Sequence, residues 1–314
     1  MYFQNFQDLP YPVQEHIIDL VNDFRTFLAL ALTNKYLSTL SSRSLYERLD
    51  FTVKNIGVKR WPDLQDFIQL SNVRYLQRIL VTNFARYPHL GVFTRSLSWE
   101  ISDNYSWQYG VTLPTKRVWE AFGAMGAVHT LDLKVNVGNE EPPPEYPLFP
   151  NLQVARIEGR FPKGSLEKIL HTSPYLQELR IVGKETAEHK GYYRSLGTDI
   201  TPFLQHCVDD HAFPRLKVLE LCLAQRVELD VVAQFLLMHS ESLVDLSLEL
   251  ADPTSQPHDL FQTYLLPVFQ NGDWTNLKTL RLNDISVSSD DWDALSTAIP
   301  LCQCCVQGDV RGED

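Results

Sequence analysis

One short phrase recurs along most of the chain: an apolar residue followed at +3 and +5 by two more. It reads as Thr94-Leu97-Trp99, Val128-Leu131-Leu133, Leu152-Ala155-Ile157, Leu176-Leu179-Ile181, Leu216-Leu219-Leu221, Leu243-Leu246-Leu248, Leu277-Leu280-Leu282 and Leu301-Cys304-Val306. Successive starts lie 34, 24, 24, 40, 27, 34 and 24 residues apart, so a basic period of 24 is stretched by insertions. A unit that short cannot cover its own apolar flank, which only the next unit can bury.

The second and third apolar positions of each phrase lie two apart, so both point to one side of a short strand while their neighbours point to the other. Helix-like stretches separate the phrases: SLEKILHT (165–172), ITPFLQHCV (200–208), DVVAQFLLMHS (230–240), DLFQTYLLPVF (259–269) and DDWDALSTAI (290–299). The expected class is α/β. In form, L-x-x-L-x-L at a period in the twenties, the pattern resembles leucine-rich repeats. That resemblance implies a solenoid over residues 94–314, with parallel strands lining a concave face and helices outside.

Residues 9–49 follow another rhythm, with three short helical segments. Val13, Ile17, Leu20 and Val21 fall at i, i+4, i+7 and i+8 after a Pro12 suited to a first helical turn. The second segment is apolar nearly all round (Phe24, Phe27, Leu28, Leu30, Ala31, Leu32) and needs cover on more than one side. Tyr36, Leu37 and Leu40 mark the third, and LYERLDF closes it. Residues 51–93 read as a helical joint, with WPDLQDFIQL and VRYLQRILVTNF helical. No Gly/Ser linker separates head from repeats.

Leu9-Pro10, Val13, Ile17-Ile18, Leu20, then Leu28, Leu30, Leu32, the run Thr33-Asn34-Lys35-Tyr36-Leu37 and Leu45-Tyr46-Glu47-Arg48-Leu49 resemble an F-box. Pro12 stands where that family often has an acidic residue, and Thr33-Asn34 replaces a common Ser. With its irregular repeats, the chain is similar to the F-box/leucine-rich-repeat proteins of filamentous fungi. The resemblance implies a substrate-recruiting subunit of an SCF (Skp-cullin-F-box) ubiquitin ligase, with residues 1–50 on the Skp adaptor, and through it cullin, and the repeats on a protein client. Such a subunit does no chemistry. A scaffold of the same build acting outside the ligase is the alternative.

Burial of a Leu or Ile side chain contributes roughly 1.5–3 kcal/mol. Leu9, Val13, Ile17, Leu20, Leu28 and Leu32, with the conformationally restricted Pro10, could therefore anchor an obligate interface, which the resemblance assigns to the adaptor. Packing of the same stripe on residues 51–93, as a cap of the solenoid, is the competing arrangement.

The strand residues beside the apolar positions should face the concavity: Glu100, Asp132, Lys134, Arg156, Glu158, Glu178, Arg180, Glu220, Asp245, Glu249 and Arg281. Their balance is acidic, and Glu220, Asp245 and Glu249 fall on adjacent strands, which suits a basic client segment or merely a solvated face. Insertions at 102–116, 138–150, 184–199 and 252–259 leave the same end of their strands and should gather on one rim. Tyr105, Trp107, Tyr109, Tyr192 and Tyr193 offer interface anchors there, or fold back on their own repeats.

The formal charge is -11, from 39 acidic against 28 basic residues, and no Lys/Arg cluster forms a stripe for phosphates, which argues against nucleic acid. No apolar run approaches the roughly 20 residues of a membrane helix. The first residues, MYFQNFQDLP, lack a secretory h-region. Five cysteines, three at 302, 304 and 305, do not form a disulfide framework and suit a reducing compartment, the cytoplasm or nucleus. CQCC lacks the second ligand pair a structural zinc needs. No GxSxG, HExxH, Walker-type or GxGxxG motif occurs, so neither catalysis nor a cofactor is expected.

Overall fold

The computed structural model describes residues 6–21, 24–52, 64–102, 115–136, 148–160, 164–170, 173–182, 200–223, 227–250, 260–300 and 302–307. Each phrase becomes a strand. The described residues form one nine-stranded sheet in which every neighbouring pair is parallel and spatial order equals sequence order. The strands are β1 (Arg48–Phe51), β2 (Ser96–Ser102), β3 (Thr130–Asn136), β4 (Val154–Arg160), β5 (Glu178–Val182), β6 (Val218–Leu223), β7 (Asp245–Leu250), β8 (Thr279–Asn283) and β9 (Gln303–Gln307).

Register explains the +3/+5 spacing. Leu49, Leu97, Leu131, Ala155, Leu179, Leu219, Leu246, Leu280 and Cys304 stand side by side in one row across the sheet. Phe51, Trp99, Leu133, Ile157, Ile181, Leu221, Leu248 and Leu282 make the next same-facing row, with the backbone of Val306 in register beside Leu282. The first position of the phrase turns inward just before each strand, and Thr94, Val128, Leu152, Leu176, Leu216, Leu243 and Leu277 are all buried. A backbone ladder ties these turns together. The amides of Arg95, His129, Gln153, Gln177, Lys217, Val244 and Lys278 donate to the carbonyls of Glu47, Arg95, His129, Gln153, Gln177, Lys217 and Val244 at 2.8–2.9 Å. The insertions therefore change what lies between strands without changing how one strand meets the next.

Helices cover the apolar side. They are α4 (Leu64–Arg86), α5 (Thr115–Gly123), α6 (Ser165–Leu170), α7 (Thr201–Asp209), α8 (Leu229–Met238), α9 (Leu266–Asn271) and α10 (Ser289–Ala298). Each sends in residues at helical spacing, such as Leu80, Val81 and Phe84 from α4, Val118, Trp119 and Phe122 from α5, and Val232, Phe235 and Leu236 from α8. All belong to one core cluster running from Leu49 to Ile299, which also holds Leu49 and the row residues from Leu97 to Leu282. A π-helical turn (Phe261–Leu265) precedes α9. Pro267 has no amide to donate to the carbonyl four residues back and its ring crowds that carbonyl, so the regular α ladder breaks there. Ser288 and Asp291 form a reciprocal capping box on α10.

Three helices precede the sheet: α1 (Tyr11–Asp19), α2 (Phe24–Thr33) and α3 (Lys35–Glu47). Asn34 starts α3 by accepting the Leu37 amide on its side-chain oxygen at 2.9 Å. Ile18 and Leu40 are buried but are not members of the main cluster. Helix α3 runs straight into β1.

That junction corrects the expectation that the strands begin near residue 94. Tyr46-Leu49-Phe51 is a ninth copy of the phrase, and Leu49 heads the first core row. Leu45 and Leu49 also sit at i and i+4, so helical periodicity in LYERLDF masks the strand. Residues 64–86 form a single helix that packs into the main core like the helices after it. Rings of Tyr46 and Phe84 meet at 5.7 Å, Phe51 and Trp99 at 5.2 Å, Trp99 and Phe122 at 5.3 Å, and Phe122 and Phe149 at 5.6 Å. This chain of aromatic contacts fixes α3 and β1 to the units that follow.

Candidate interaction surfaces

The Leu-Pro elbow before α1 is held from inside. Gln14, itself buried, donates its side-chain amide to the carbonyls of Leu9 at 2.6 Å and Gln7 at 3.2 Å. Pro10 occupies the N-cap position and Pro12 the first turn, where a missing amide costs nothing. Gln14 and Ile18 thus mark the inner side of α1. Val13, Ile17 and Leu20, at i, i+4 and i+7, mark the outer one.

Those three remain 43%, 38% and 65% exposed, against 3% for Ile18. Leu32 on α2 is 77% exposed, Pro10 is exposed and Leu9 half-buried. Among the described residues, no later segment buries Val13, Ile17 or Leu20. Tyr11, not among the expected residues, is exposed on the same helix. The side chain of Leu28 lies outside the described residues. Helix α3 is tied to α1 by a solvent-exposed Arg43–Glu15 pair at 3.5 Å, which contributes little.

The sheet's other side carries the polar rows. Lys134 pairs with Glu158 at 3.0 Å, Arg156 with Glu178 at 3.0 Å, and Arg180 with both Glu178 at 2.8 Å and Glu220 at 3.2 Å. Lys134, Arg156 and Arg180 each reach a carboxylate on the following strand, β4, β5 and β6 in turn. Burial pushes the Asp132 carboxyl above its ordinary range despite the nearby Lys134 and Arg156. Burial alone would lower Lys134, but its hydrogen-bonded Glu158, with Asp132 and Glu100, raises it.

The three carboxylates expected to meet a client are consequently unlike one another. Glu220 is matched by Arg180. Asp245, opposite Val218 and Thr279, has no ion pair among the described residues, and Glu249 lies between Cys222 and Asn283. Arg281, exposed, stands opposite Ser247 and Cys305 and likewise has no ion pair among the described residues. The anchors Tyr105, Trp107, Tyr109, Tyr192 and Tyr193 lie outside the described residues.

Sequence reasoning missed a further apolar surface. On α4, Tyr75, Leu76 and Ile79 are exposed at i, i+1 and i+4, while Leu80, Val81 and Phe84 take the inner side. The signal was present in VRYLQRIL, where apolar residues exceed what one face can bury. Two buried polar groups stand apart from these surfaces. Burial pushes the Cys207 thiol up, and His239, with its Nε2 unpartnered and its ring edge-on to Phe235 at 4.7 Å, is pushed down to about 4.

No group of three or more His, Cys, Asp or Glu side chains able to hold a metal occurs among the described residues, and no helix there is long and apolar enough to cross a membrane. No protein-family model matches the chain, and no curated protein matches it.

Proposed function

We propose that this chain is a non-catalytic substrate-recognition subunit of an SCF-type ubiquitin ligase. In this reading α1–α3 are an F-box that docks on the Skp adaptor and through it on cullin, and the strands and helices from β1 onward are a leucine-rich-repeat solenoid that holds a protein client. The observation that carries the reading is the outward set Val13, Ile17, Leu20 and Leu32, exposed on α1 and α2 while Ile18 on α1 and Leu40 on α3 are buried. Four exposed apolar side chains on so small a helical segment are costly in water unless a second polypeptide covers them.

The sheet's polar side supports the client half of the reading. It offers main-chain-positioned side chains over nine parallel strands, and α3 feeds β1 without a linker, so adaptor and client would be held at a set separation. Asp245 and Arg281 are the favoured client contacts, because Glu220 is already neutralised by Arg180. A client reading both would carry a basic and an acidic side chain on one extended segment. Such a complex belongs to the cytoplasm or nucleus.

The test is affinity purification of the intact chain and of a Val13→Asp/Ile17→Asp double variant. The reading expects the Skp adaptor and cullin with the first and neither with the second. Adaptor without cullin would favour a scaffold outside the ligase, and equal recovery with both proteins would remove the site assignment.

A further inference from the structure

We draw no further inference here: the strongest candidate, the exposed apolar patch of Tyr75, Leu76 and Ile79 on the outer side of α4, carries nothing because nothing in the structure shows what covers it.

Discussion

The amide of Arg95 donates to the carbonyl of Glu47 at 2.9 Å. Glu47 is the last residue of α3 and Arg95 immediately precedes β2, so the N-terminal helices end inside the hydrogen-bond ladder of the sheet. The head is therefore fused to the first repeat, and where the chain is cut decides what a truncation measures.

Deleting residues 1–51 would remove β1 and with it the cover that Leu49 and Phe51 give to Leu97 and Trp99. Loss of a buried Leu or Phe typically costs about 2–5 kcal/mol. Deleting only residues 1–33 keeps α3 and β1. Thermal melts of the two proteins should differ, with the shorter deletion retaining the main transition and the longer one lowering it by several degrees. Identical melting curves would mean that β1 contributes nothing to the sheet's stability.

Gly159 lies in β4 with φ +105, opposite Val135, and a Cβ there would collide with the Val135 carbonyl. Both the left-handed backbone and the collision oppose any side chain. Gly159→Ala should destabilise the fold by about 1–3 kcal/mol, read as a lower urea midpoint with an unchanged slope. Gly126, where a Cβ would meet nothing within 4 Å, supplies the control, and Gly126→Ala should leave the midpoint near that of the parent.

His239 makes stability depend on pH. Burial lowers its pKa from 6.5 to about 4, so between those values the unfolded chain binds a proton that the folded chain refuses. The contribution is complete above pH 6.5 and is lost as pH falls toward 4, about 3 kcal/mol in all by linkage. Urea unfolding at pH 7 and pH 4.5 should show a smaller loss for His239→Leu than for the parent. Equal losses would assign the acid sensitivity to carboxylates alone.

How much of this was legible in the sequence follows from the range of each interaction. Leu131 and Leu133, or Leu246 and Leu248, announce themselves because a two-residue alternation recurs along the chain at intervals of 24 to 40 residues, and both pairs lie in the buried rows. The strand β1 hid because Leu45 and Leu49 satisfy a helical spacing as well as a strand one. The outward set of α1 was readable as a stripe, but the burial of Gln14 was not, since a polar residue turns inward here only to satisfy the Leu9 and Gln7 carbonyls. Arg180 and Glu220 are 40 residues apart across an insertion, and pairing at that range depends on strand register rather than on local pattern.

In the proposed function the outer face of α1 binds an adaptor while the inner face folds the head. Calorimetric titration of purified Skp adaptor into the intact chain, into Ile17→Asp and into Ile18→Ala separates the two roles. Saturable one-to-one binding to the intact chain is expected, with a loss of about 100-fold or more for Ile17→Asp and its melting curve unchanged, as for an interface anchor worth roughly 3 kcal/mol. Ile18→Ala should instead lower the stability of the head. Adaptor affinity that is absent from the intact chain, or unaltered by Ile17→Asp, would contradict the proposed function.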